Sequence, residues 1–244
     1  MDNINFSIKK AAAIILSSAA VLLCAACGNA EKTAEQVQPV ATVEPAVEQT
    51  PEPTPEMQAI DYYREILDKW QTGVSERWDM QTLEENDLNY MAAYCYSDSS
   101  LERFGYLLHD IDGNGIQDLL IGTMTGDEYQ DKIILELYTV KDNAPVQIFS
   151  SGERDRYYFC SDGTIANEGS SSAFESCYNY YSYTDGELQL NGSVLFDMAA
   201  NKDQPYFFVM GDERINIDSD TATAKVEEYQ ALYIIPEYTP FSQY

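Results

Sequence analysis

Beyond Leu101 the apolar residues stop recurring at helical spacing and fall into short β-branched or aromatic runs, and this change of period constrains the fold more than any other feature. The runs are "KIILELYTV", "PVQIFSS", "RYYFC", "YNYYSYT", "ELQLN", "SVLFDM" and "PYFFVMG". Between them stand Asp162-Gly163, Asp185-Gly186 and Asn191-Gly192, dipeptides that accept the positive φ angles of tight hairpin turns. Strands joined in this way pair with their neighbours in sequence, so an antiparallel β-meander is expected. No unit of about 20–50 residues repeats, which speaks against a propeller or a solenoid.

Two amphipathic segments precede the strands. "EMQAIDYYREILDKWQTG" places Ile60, Tyr63, Leu67 and Trp70 on one helical face and ends at Gly73. "TLEENDLNYMAAYC" opens with Thr82 and Glu85 in capping-box spacing and carries Leu88, Met91, Ala92 and Cys95 down one face. A last helix, about Asp220 to Leu232, turns Val226, Tyr229 and Leu232 or Tyr233 inward, and Pro236 stops its continuation. The expected fold class is α+β, with N-terminal helices, an antiparallel meander and a C-terminal helix. Residues 57–244 suffice for one globular domain and are short for two.

The first residues point to an address. Lys9 and Lys10 lead into "AAAIILSSAAVLLCAAC", an apolar run of signal-peptide length that is too short for a comfortable membrane span. It closes with Ala25-Ala26-Cys27-Gly28-Asn29. This resembles the lipobox of bacterial lipoproteins, although Cys24 stands where that family usually has an aliphatic residue. The resemblance implies removal of residues 1–26, acylation of the Cys27 thiol and an extracytoplasmic domain held to the membrane by lipid. The following segment, up to Glu56, carries five of the nine prolines and no aromatic residue. Such a segment buries too little apolar surface to offset its ordering entropy, so residues 27–56 read as a disordered tether.

Charge narrows the partners. The formal net charge is −27, and the first 26 residues contribute only Lys9, Lys10 and Asp2, leaving about −28 without them. Nucleic acid is thereby disfavoured, since phosphate binding wants the opposite sign. Solubility accounts for most of the acidity. After Cys27 come only Cys95, Cys160 and Cys177, with no C-x-x-C pair to support a zinc site. Cys160 and Cys177 flank an expected strand-turn-strand, where an oxidising compartment permits a disulfide; free buried thiols are the alternative.

One stretch is specifically chemical. "HDIDGNGIQDLLIG" places Asp110, Asp112 and Asp118 at positions 1, 3 and 9 of a loop, Asn114 at position 5 and glycine at positions 4 and 6. Hard divalent cations want about six to eight oxygens at short range, and Gly115 permits the sharp turn needed to wrap one. The Ile116 carbonyl could add a further oxygen. An EF-hand is excluded by Ile121 at position 12, where a bidentate glutamate belongs, by Gln117 at position 8 and by flanks that read as strands. The loop instead resembles the calcium-binding β-hairpin turns of FG-GAP and VCBS-type repeats. Over about fourteen residues that resemblance implies Asp110, Asp112, Asn114, Ile116 and Asp118 as ligands of one calcium ion. With the lipobox, tether and closing meander, the chain is similar to uncharacterised single-loop lipoproteins of Gram-positive bacteria, which implies a location and a metal but no activity. The alternative for the loop is a metal-free hairpin turn rich in Asx residues. A shell filled by protein oxygens leaves little room for substrate, so the ion is expected to serve shape.

Catalytic signals are sparse. The single histidine, His109, reads as a solvent-facing strand residue, and no G-x-S-x-G elbow supplies a serine nucleophile. Two classes of function remain. One is a non-enzymatic surface module that binds a wall or extracellular glycan or a protein partner, with "YNYYSYT" as the contact stretch unless its tyrosines simply divide between core and surface. The other is a carboxylate-dependent hydrolase acting on cell-wall or extracellular glycans, for which acidic residues are abundant but their geometry is not legible.

Overall fold

A computed structural model describes residues 55–244, a mixed helix-and-sheet chain in which strands predominate. The expected signal segment, Cys27 and nearly all of the expected tether lie outside the described residues. Among the described residues no helix is long and apolar enough to cross a membrane.

Helix α1 (Pro55–Glu76) begins just inside the expected tether and buries Tyr63, Leu67, Trp70 and Val74. It runs through Gly73 rather than ending there. A side chain at residue 73 would meet the Trp78 ring at 3.1 Å, so glycine is retained for close packing. The stop comes at Arg77, whose left-handed φ of 55° lets the Trp78 amide return to the Gly73 carbonyl at 2.9 Å.

The second expected helix is two pieces, α2 (Met80–Glu85) and a 3-10 turn over Tyr90–Cys95. Asp79 caps α2, accepting from the Thr82 amide at 2.8 Å and its hydroxyl at 2.7 Å, so Thr82 is a donor to the cap and not the cap itself. Asp87, with φ of 60°, breaks the chain between the pieces. Buried Asn89 then anchors the second piece, donating to the Leu135 and Ser151 carbonyls at 3.0 and 2.7 Å. Leu88, Met91, Ala92 and Cys95 are buried as their spacing foretold, through this tertiary anchor.

Short α3 (Ser100–Arg103) leads into β1 (Phe104–His109) and β2 (Asp118–Thr123). Then come α4 (Glu128–Asp131), β3 (Ile133–Lys141), β4 (Ala144–Ser150), β5 (Asp155–Cys160) and β6 (Ile165–Ser172). The chain continues as β7 (Glu175–Thr184), β8 (Glu187–Asp197), β9 (Tyr206–Met210), β10 (Glu213–Asn216), α5 (Ser219–Gln230), β11 (Tyr233–Ile234) and β12 (Thr239–Pro240). Among the described residues all pairings are antiparallel in one sheet of twelve strands, ordered β10-β9-β8-β7-β6-β5-β3-β2-β1-β12, with β4 on β3 and β11 on β5. The meander is interrupted at β3, which pairs with β4 along Glu136 to Lys141 and with β5 at Ile133 and Ile134.

Several turns behave as their dipeptides suggest. Asp185 and Gly186 both take positive φ and join β7 to β8, and Gly163 does so between β5 and β6. Asn191-Gly192 does not turn: it lies inside β8, where Gly192 pairs with Tyr180 and Leu190 with Tyr181, leaving Asn191 as the extra residue of a bulge. A turn absent from the expectations is Asp142-Asn143, at φ 53° and 62°. Strand β6, "IANEGSSS", was also unmarked, because its Gly and Ser residues carry no apolar alternation.

Three apolar clusters hold the sheet. The helices pack on one face of β1–β3, where Trp70, Phe104, Leu119, Ile121 and Phe241 meet. The opposite face presents Leu120, Ile134 and Leu137 to Ile165 and Tyr183, so the sheet folds over on itself. On the outer side of β5–β7, Tyr158, Cys160 and Tyr180 pack with Tyr233. Gly105 and Gly122 stand opposite each other on β1 and β2, and Tyr238 fills the space their side chains would take, within 2.3 Å of a Cβ at 122. Along α5, Ala222 is buried and Val226 and Tyr229 are half-buried; Leu232 and Tyr233 follow the helix, the latter in β11.

The permitted disulfide is not formed. Cys95, Cys160 and Cys177 are free thiols. Tyr158, Ala166 and Tyr180 are aligned across β5–β7, so Cys160, two residues from Tyr158, shares their face, whereas Cys177, three residues from Tyr180, points to the other. Strand alternation separates the pair.

Candidate metal centre

The β1–β2 hairpin creates the loop. His109 pairs with Asp118 at its base, and Gly113 and Gly115 take positive φ of 72° and 87° where the chain doubles back. Asp110 accepts from the Asn114 and Gly115 amides at 3.0 and 2.9 Å. Asp112 accepts from the Asn114 amide at 3.1 Å and side-chain amide at 3.2 Å, and also from the Asp185 amide of the β7–β8 turn. The Asn114 side-chain oxygen accepts from the Ile116 amide at 2.7 Å. Two elements thus brace the loop from outside, the β7–β8 turn and α1, whose Tyr63 donates to the Gln117 carbonyl at 2.8 Å.

Asp118 differs from the other two aspartates. It is 1% exposed, accepts from the Tyr183 hydroxyl at 2.8 Å and lies 3.3 Å from the Ile111 amide. Burial pushes its carboxyl above the ordinary range, hydrogen bonds from Thr139, Tyr183 and Ile111 oppose that, and the charge of Asp112 adds to it. Among the described residues, none of the ion pairs involves Asp110, Asp112 or Asp118. The donor set of three carboxylates, an amide oxygen and a main-chain carbonyl suits a hard cation in kind. Its present arrangement does not gather the carboxylates: among the described residues no group of three or more His, Cys, Asp or Glu side chains is placed to hold a metal.

His109 is exposed, its ring edge-on to Phe159 at 6.1 Å. "YNYYSYT" divides by alternation. Tyr180 is buried against Tyr229, Tyr183 is buried on Asp118, and Tyr178 and Tyr181 are half-buried on opposite faces. Most of this stretch is packing, and of its tyrosines Tyr178 lines a surface hollow.

Two carboxylates escaped the sequence reading. Asp131 is buried and accepts from the Thr123 and Thr125 hydroxyls and the Thr125 and Gly126 amides, at 2.7–2.9 Å, holding the turn after β2. Glu136 is 1% exposed, and its Oε2 accepts from Trp70 Nε1 at 2.8 Å and the Tyr138 hydroxyl at 2.9 Å. Burial pushes Glu136 up to about 7 against the bonds from Trp70 and Tyr138 and a weaker one from the Asn89 main-chain amide. A lone acid inside "IILELY" was the available signal, since an apolar strand buried on both faces encloses whatever it carries. Comparison with models of protein families, with curated proteins and with solved structures returns no match to this chain.

Proposed function

We propose that the chain is an extracytoplasmic lipoprotein, anchored to the cell membrane through lipid on Cys27, whose folded domain binds one calcium ion in the 110–118 loop and serves as a non-enzymatic binding module. The observation that carries the metal reading is the enclosed Asp118 carboxylate, beside Asp112 and with no cation paired to it among the described residues. Burying an unpaired charge is expensive, and a divalent ion would offset that cost. Asp110, Asp112, Asn114, Asp118 and the Ile116 carbonyl would hold it, and binding requires the carboxylates to draw closer together than they stand. The ion would neutralise charge and brace the loop against the β7–β8 turn. The hydrolase reading has no comparable support, because the buried carboxylates Asp118, Asp131 and Glu136 are enclosed by the fold.

Extracellular calcium modules typically bind at about 10⁻⁴–10⁻³ M. At calcium ten times the dissociation constant the folded state gains about 1.4 kcal/mol, which raises the melting temperature by a few degrees. A calcium titration of the full chain followed by thermal unfolding, with chelator as the zero point, measures this. Asp112→Ala is expected to abolish the shift, and Asp212→Ala, at an exposed site outside the loop, to retain it. No shift at several millimolar calcium would return the loop to a metal-free turn. The anchor is tested separately, because Cys27→Ala is expected to remove the protein from the processed, membrane-bound fraction.

A further inference from the structure

Helix α5 lies along the outer face of β7–β9 and leaves a groove with two hollows. One, of about 470 Å³, is walled by Tyr178, Phe196 and Tyr206 of the sheet and by Thr223 and Val226 of the helix. The other, of about 380 Å³, is walled by Tyr129, Tyr158 and Tyr233, with Glu128, Lys132 and Glu168 at its rim. Gln230 borders both and donates to Glu168 at 2.7 Å, and Glu168 is the cross-strand neighbour of Tyr178, so the hollows adjoin. Each falls within the range of about 300–1,000 Å³ typical of small-molecule sites.

The chemistry of the walls selects among ligands. Tyr178, Tyr206 and Ser176 make no hydrogen bond to protein through their hydroxyls among the described residues, although all three line the larger hollow. Phe196 and Tyr206 are tilted at 55° with ring centres 5.3 Å apart, and Tyr129 is 54% exposed at the far end. Aromatic faces alternating with free hydroxyls suit the C–H faces and hydroxyl edges of a sugar. Charge points the same way. An anionic chain is repelled by a protein of net charge −27. A cationic ligand finds Glu128 already paired with Lys132 at 2.7 Å, while Glu168, hydrogen-bonded by Gln230 and Tyr158, and Glu227 keep their charge, so a cationic peptide is the competing ligand to be tested.

We propose that this groove binds an uncharged oligosaccharide, with Tyr178, Phe196 and Tyr206 as the stacking surface and Gln230 between two sugar subsites. The inference rests on the reading of the domain as a non-enzymatic binding module and names the ligand class. The full chain is titrated with chitotetraose, cellotetraose and maltotetraose, and in parallel with tetralysine and a hyaluronan tetrasaccharide, using calorimetry and saturation-transfer NMR. At least one neutral saccharide should bind. Tyr206→Ala should weaken it about tenfold or more, the order expected when an aromatic anchor is truncated. Thr223→Arg, at an exposed helix position, should do the same by crowding the hollow without removing a ring. Tyr94→Phe, on an exposed ring elsewhere, should leave affinity unchanged. Binding of none of the neutral saccharides at millimolar concentration overturns the proposal, as does binding of tetralysine or hyaluronan alone, or affinity unaltered in both groove variants. The calcium titration stands apart: a domain that answers calcium but no saccharide sinks this proposal alone.

Discussion

Strand β2 and strand β10 belong to one sheet, yet every residue of β2 is buried and every residue of β10 is exposed. In β2, "DLLIGT" is nearly continuous aliphatic sequence because one face meets the helical layer and the other meets the folded-over strands β5–β8. In β10, "ERIN" is short, charged and at the sheet margin, a form that discourages further strand pairing. The doubly covered region carries the stability. The singly covered margin around β8–β10 leaves rings and hydroxyls beside α5 for contact with something else.

The largest expected difference between the regions is in core truncation. Leu120→Ala should cost about 3 kcal/mol in urea unfolding, from lost burial and the cavity left behind, whereas Ile215→Ala at the exposed margin should cost less than about 0.5 kcal/mol. Equal losses at the two sites would mean the margin is as well packed as the centre.

A pH profile tests the covered region from inside. The folded-state value of Glu136, about 7, lies above its reference value of 4.5. Its contribution to stability is therefore fully present below about pH 4.5 and is lost as the pH rises through about 7. The span corresponds to roughly 3 kcal/mol. Glu136→Gln keeps an oxygen for Trp70 and Tyr138 and should flatten that portion of the profile. If both proteins lose stability in parallel from pH 4.5 to 7, Glu136 is not the group responsible.

Smaller effects should ignore the contrast. Asp79 caps α2 in the covered region, and Asp218 caps α5 beside the groove by accepting from the Thr221 amide at 2.7 Å. Each replacement by alanine is expected to lower stability by a similar, small amount in urea unfolding, because a cap satisfies donors in its own first turn. A several-fold difference between the two caps would show tertiary packing reaching into helix ends.

Legibility followed the range of the interaction. The helical face of Tyr63, Leu67 and Trp70 was readable because periodicity operates within a few turns. The same holds for the hairpin turn at Asp185-Gly186 and for the sharp bend at Gly115, both set by the local φ preference of glycine. Asn191-Gly192 carries the same local preference, but pairing with β7 continues on both sides of it, at Leu190 and Gly192, and the dipeptide is absorbed as a bulge. Gly73 is not a helix stop, because the ring that demands it, Trp78, arrives from beyond the helix.

The amino-acid order by itself determined the alternation of strands such as β7, the turns at Gly163 and Asp185-Gly186, the acidic surface and the grouping of aspartates in one loop, since each depends on residues within a few positions. Only the tertiary structure decided which carboxylates are enclosed, as when Glu136 meets Trp70 across 66 residues and Asp118 meets Tyr183 across 65. It also put Cys160 and Cys177 on opposite faces and split the edge of β3 between two partners. Burial is a property of what two distant segments cover together, and no local pattern encodes the second segment's position.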